Sequence, residues 1–120
     1  MDSKQVLEIA VKAAESKRAE DMTALDMRKV SLMADYFLIV DANSSRQVQA
    51  IVDEVEDQVS ANGVTIKDVE GKSSANWILI DLGDVIVHVF QKEQRSHYNL
   101  EKLWSDAPEV DLTEWVEAEA

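Results

Sequence analysis

Apolar and polar positions alternate with period two from Asn76 to Phe90, in the stretch NWILIDLGDVIVHVF. That period is the mark of a half-buried strand. Leu82-Gly83 interrupts it where a two-residue turn closes a β-hairpin. With that turn Asp81 pairs with Asp84, Ile80 with Val85, Leu79 with Ile86, Ile78 with Val87 and Trp77 with His88. Residues paired across a ladder share a face. One face is then wholly aliphatic: Ile78, Ile80, Val85, Val87 and Val89. The other mixes large apolar and polar groups: Trp77, Leu79, Asp81, Asp84, Ile86, His88 and Phe90. The aliphatic face predicts a core, and the mixed face predicts a surface that meets a partner.

Elsewhere the period changes. Val6, Ile9, Ala10 and Ala13, widened by Leu7, Val11 and Ala14, predict a helix over 4–17 with Ser3 as N-cap. Asp21 to Met27 reads as a short strand near an edge, and Asp35 to Asp41 (DYFLIVD) as a strand buried on both faces. Ser44 and Gln47 fit a capping box. Behind it Val48, Ile51, Val52, Val55 and Val59 form the inner stripe of a second helix, with Asp53, Glu54, Glu56 and Asp57 outward. Asn62-Gly63 stops this helix. Val64 to Val69 is a strand, and His97 to Trp104 a terminal helix with Leu100, Leu103 and Trp104 inward. Pro108 ends regular structure. The expected fold is a single α/β domain in the order α-β-β-α-β-β-β-α, a five-stranded mixed sheet with helices packed on it. It spans residues 1–104, and 105–120 form an acidic tail.

Charge sharpens the picture. The 120 residues carry 24 acids against 12 bases, a net charge of −12. Six of the acids follow Lys102, the last base. Such a chain repels phosphate over most of its surface, so direct sequence-neutral nucleic-acid binding is disfavoured and a basic protein is the better partner. There is no cysteine, which excludes disulfides and thiolate chemistry. No apolar run spans a bilayer, and the N-terminus lacks a signal-peptide pattern. These features fit a cytoplasmic protein.

Several residues carry candidate chemistry. Asp81, Asp84 and His88 on one sheet face offer two carboxylates and an imidazole for a metal or for acid–base work in a small metal- or nucleotide-dependent enzyme. The plainer reading is turn hydrogen bonding by the Asp pair and packing by His88. Ser44-Ser45-Arg46 opens a helix and can hold an anion, or simply cap the helix. No glycine-rich phosphate loop accompanies it. Trp77 is either core or the anchor of an interface. Arg95 and Tyr98 are less obviously structural than Leu100, Leu103 and Trp104. Leu112, Trp115 and Val116 stand at helical spacing in the tail, to dock back, to touch a basic partner or to stay disordered.

Taken in order, Asp35-Tyr36-Phe37-Leu38-Ile39-Val40, Ser44-Ser45-Arg46-Gln47-Val48, Glu70-Gly71, the hairpin from Asn76 to Phe90, and Tyr98-x-Leu100-Glu101-x-Leu103-Trp104 closely resemble the ribosomal silencing factor family, also called Iojap or YbeB-like. The motifs cover residues 4–104. The resemblance implies a nucleotidyltransferase-like fold without the catalytic signature, and here no Gly-Ser or Gly-Gly pair precedes a spaced Asp-x-Asp pair. It implies a protein that is not an enzyme and needs no cofactor. Such a protein binds the large ribosomal subunit through ribosomal protein L-fourteen, blocks joining with the small subunit and lowers translation when nutrients run short. It also implies a homodimer. Carried onto this chain, the partner-binding residues are Trp77, Leu79, Asp81 and His88, with Tyr98 at the flank.

Overall fold

The computed structural model describes residues 1–116, so Glu117 and Glu119 of the acidic stretch lie outside the described residues. Helix α1 (Ser3–Ser16) opens one residue earlier than its periodicity suggests, because Asp2 and not Ser3 is the N-cap. The Asp2 carboxylate accepts from the Gln5 N–H while the Gln5 side chain returns to the Asp2 N–H, a complete capping box. Strands β1 (Glu20–Asp26) and β2 (Tyr36–Ala42) follow. Every residue of β2 is buried, as its unbroken apolar run requires. Helix α2 (Ser45–Ala61) buries Val48, Ile51, Val52, Val55 and Val59, the stripe its sequence predicts. Ser44 caps it, but only half of the expected box forms. The Gln47 side chain instead donates to the carbonyls of Lys17 and Arg18.

Strand β3 is shorter than expected and spans Asp68–Glu70. The Val64 N–H donates to the Val59 carbonyl and closes the end of α2, so it is not available to a ladder. Strands β4 (Trp77–Asp81) and β5 (Val85–Gln91) form the predicted hairpin, but its register differs by two residues. Leu82 N–H donates to the Val85 carbonyl, so Gly83-Asp84 is the turn and not Leu82-Gly83. Asp81 therefore lies opposite Ile86, Leu79 opposite His88 and Trp77 opposite Phe90. Two hydrogen bonds from Asp35 and Tyr36 to the Asp84 carbonyl hold this turn against the start of β2. Because side chains alternate with period two, a slip of two leaves every one on its predicted face.

The predicted terminal helix is two. Helix α3 (Lys92–Tyr98) stops at Asn99, whose φ of 48° is left-handed, and the single turn α4 (Leu100–Leu103) restarts in a new direction. Asn tolerates this conformation better than most residues. The break turns Leu103 outward, contrary to its predicted inward place, while Leu100 stays buried. Pro108 does not end regular structure: β6 (Glu109–Val110) pairs antiparallel with β1. The sheet thus has six strands and not five, in the order β3-β4-β5-β2-β1-β6, with β2 and β5 parallel and the other pairs antiparallel.

Helices α1 and α2 cover the aliphatic face. Their stripes pack against Tyr36, Leu38, Val40, Ile78, Ile80, Val85, Val87 and Val89. Leu112, Trp115 and Val116 pack at the margin of the same core. A second, smaller core lies on the opposite face, where Phe37, Ile39 and Phe90 meet Leu25, Met27 and Leu100, with Trp77, Ile86 and Trp104 at its edge. Among the described residues no helix is long and apolar enough to cross a membrane.

Candidate functional site

The ladder fixes the mixed face as three rows. One row runs Asp68, Asp81, Ile86, Phe37 and Leu25. The next runs Glu70, Leu79, His88, Ile39 and Thr23, and the third Trp77, Phe90 and Asp41. Helix α3 leaves β5 over this face and covers its β2 side. It leaves the β4 side, with Trp77, Leu79 and Asp81, half-buried.

Trp77 stands at the centre of an aromatic cluster. Its ring stacks on buried Phe90 with centroids 5.0 Å apart and touches the Tyr98 ring at 4.6 Å. Its indole Nε1–H donates to His88 Nδ1 at 3.1 Å. Because indole only donates, Nδ1 is unprotonated and the proton of the neutral ring sits on Nε2. Nε2 is buried and has no hydrogen-bond partner among the described residues. Burial pulls the His88 pKa down to about 4, so the ring is neutral at physiological pH. His88 is only 4% exposed, while Tyr98 is 46% exposed. Phe37 meets the His88 ring edge-on at 4.8 Å.

The structure therefore brings Trp77, Leu79, His88 and Tyr98 together, with His88 behind the surface and the others at it. Asp81 lies at the other end of β4, where its Oδ1 accepts from the Gly83 N–H at 2.8 Å. Asp84 is exposed in the turn. The turn-stabilising reading of Asp81 is the one the geometry supports. Among the described residues no group of three or more His, Cys, Asp or Glu is placed to hold a metal ion. Asp68 and Glu70 on β3, both exposed, complete an acidic rim beside Leu79.

Sequence reasoning overlooked the support of this face. Asp41 is 2% exposed and pairs with Arg95 of α3 at 3.1 Å. Arg95 also reaches Glu101 at 3.2 Å, the Thr23 hydroxyl at 3.1 Å and the Asp21 carbonyl. Burial pushes the Asp41 carboxyl up, and Arg95 opposes that shift. This pair holds α3, and with it Tyr98, against the sheet. The clue in the sequence was a carboxylate ending the most apolar strand, a charge that burial forces to find a cation.

A six-stranded mixed sheet with two long helices on one face and a half-open aromatic patch on the other defines this chain as a small α/β domain. The profile of the family described as "Ribosomal silencing factor during starvation" matches residues 1–120. The chain belongs to that ribosomal silencing factor family. It is 58% identical over 112 residues to the ribosomal silencing factor RsfS of Bacillus subtilis, covering 93% of this chain and 95% of the relative. A crystal structure from Bacillus halodurans superposes with a TM-score of 0.82 at 49% identity, covering 92% of this chain and all of the other. One from Chromobacterium violaceum gives 0.86 at 32% identity and 88% of both chains.

Proposed function

We propose that this protein is a translational repressor of the cytoplasm that binds the large ribosomal subunit through ribosomal protein L-fourteen. Bound there, it blocks joining with the small subunit when nutrients are limiting. Membership of a family described as a ribosomal silencing factor during starvation supports the biological setting. The observation that carries the placement is the half-open Trp77 patch. A large aromatic seated in a rigid cluster, beside Leu79 and Tyr98, with exposed Glu70 opposite Leu79 and Asp81 further along β4, has the makeup of an interface anchor for a basic protein. In this reading the sheet is a nucleotidyltransferase-like scaffold used without catalysis, and the chain is neither an enzyme nor a cofactor carrier. A homodimer that covers the Trp77 face would compete with the ribosome.

The test is co-sedimentation with purified large subunits, followed by addition of small subunits. Wild type should ride with the large subunit and keep the small one off. Tyr98→Ala and Trp77→Ala should weaken binding, the latter by about thirtyfold or more as befits a central aromatic anchor. Trp77→Phe keeps the stacking on Phe90 and controls for folding. If wild type does not bind, the reading fails. If both alanine variants bind as wild type does, the contact lies on another face.

A further inference from the structure

Bases are scarce in this chain, 12 against 24 acids, and five of them form ion pairs among the described residues. Lys12 pairs with Glu8, Arg28 with Asp26, Lys72 with Glu56, Lys92 with Glu20, and Arg95 with Asp41 and Glu101. Of the remaining seven, Lys4, Lys29, Lys67 and Lys102 stand apart from one another in the sequence, whereas Lys17, Arg18 and Arg46 gather at one place. All three are exposed, and among the described residues none forms an ion pair. Two elements distant in sequence bring them to one corner. Lys17 is the C-cap of α1, Arg18 follows it with φ of 60°, and Arg46 stands in the first turn of α2. The Gln47 side chain ties the two ends together, donating to the Arg18 carbonyl at 3.2 Å and the Lys17 carbonyl at 3.4 Å.

The position of this corner matters as much as its charge. Strand β2 ends at Ala42, a few residues before Arg46, and its Asp41 shares a row with Phe90 and Trp77. The basic corner and the Trp77 patch therefore lie at the same end of the sheet. The acidic turn with Asp81 and Asp84 lies at the other.

We propose that Lys17, Arg18 and Arg46 form a phosphate-backbone contact to ribosomal RNA next to the protein partner held by Trp77. This inference rests on the ribosome-binding reading above. A protein of net charge −12 is repelled by an RNA-rich particle. Unpaired cations gathered at one corner reduce that repulsion locally. Backbone phosphates are the target because three exposed, flexible cations carry charge but no base-reading geometry.

The experiment measures binding to purified large subunits across a salt series. Wild type is compared with the triple variant Lys17→Gln, Arg18→Gln, Arg46→Gln. A second triple variant, Lys4→Gln, Lys12→Gln, Lys29→Gln, makes the same change in net charge at exposed positions elsewhere. Neutralising three phosphate contacts lowers the slope of log affinity against log salt by about two to three. The corner variant should show that drop and the control should not. Both should bind isolated ribosomal protein L-fourteen as wild type does. An unchanged slope in the corner variant overturns the inference while leaving the function intact. So does an equal loss of affinity for the isolated protein, which would make the corner a protein contact. Failure of wild type to bind the subunit at any salt overturns both.

Discussion

At the scale of single residues, the bond between Trp77 and His88 joins an anchor to a buried base. His88 is an acceptor for the indole only while neutral, and burial lowers its pKa from 6.5 to about 4. Between those values the unfolded chain takes up a proton that the folded chain refuses. Stability is therefore fully present above pH 6.5 and falls as the pH drops toward 4, by about 3 kcal/mol at most. Urea unfolding at several pH values should show this slope in wild type. His88→Leu, which has nothing to titrate, should lack it after the same carboxylate background is subtracted. Gly71 sets the other limit on Trp77. A Cβ there would meet the Trp77 carbonyl oxygen at 2.1 Å, and the backbone φ is +90°. Gly71→Ala should cost well over the roughly 1–2 kcal/mol of a left-handed backbone alone, because β4 must shift to relieve the clash. Gly63→Ala, also left-handed but in open space, gives the backbone cost alone. Thermal unfolding of the two variants separates these contributions.

At the scale of elements, α3 decides how much of the mixed face stays open, and its hold on the sheet is the Arg95–Asp41 pair. Both side chains are largely out of water, so removing Arg95 leaves the buried Asp41 carboxylate without its cation, while Arg95 itself keeps Glu101. Arg95→Ala should destabilise by about 3–5 kcal/mol. Joint replacement, Asp41→Leu with Arg95→Leu, should recover part of that loss in a double-mutant cycle read by urea unfolding. This device was not legible in the sequence, because its members stand 54 residues apart and nothing local links them. What periodicity could reach, it reached: the α2 stripe and the two faces of the hairpin follow from spacing alone. The faces survive even though the turn was misplaced, since a two-residue slip preserves the pleat. Periodicity could not see the break at Asn99, a single left-handed residue inside an apparently continuous helical pattern. Periodicity put Trp77, Leu79 and His88 on one face, while Tyr98 joined them only through the family resemblance; Phe37 and Phe90 pack on His88 and bury it, the plainer of the roles its position offered.

At the scale of the whole molecule, the stretch after Trp104 changes what the sheet exposes. Without it, β1 would be an edge strand with unpaired N–H and C=O groups, the usual template for association with another chain. Residues 109–110 pair with Leu25 and Ala24, and the Pro108 carbonyl accepts from the Asp26 N–H at 2.8 Å. Beyond them Leu112, Trp115 and Val116 lie against the α1–α2 core. A two-residue strand leaves no periodic signature, which is why composition alone makes this region look like a charged tail. Its acids and its apolar residues have separate work: the acids after Lys102 supply six of the twelve excess negative charges, while Leu112, Trp115 and Val116 cover the core margin. Deleting residues 105–120 should therefore lower stability by on the order of 3 kcal/mol, the loss expected for three partly buried side chains. It should also expose the β1 edge. Urea unfolding measures the first effect, and light scattering against protein concentration measures the second. Unchanged stability in the shortened chain would mean that residues 1–104 fold as a self-sufficient unit and that β6 only lies on their surface. A variant keeping all the acids but carrying Leu112→Ser, Trp115→Ser and Val116→Ser should reproduce most of the stability loss with the charge intact, because the core contact and not the charge is what ties this stretch down.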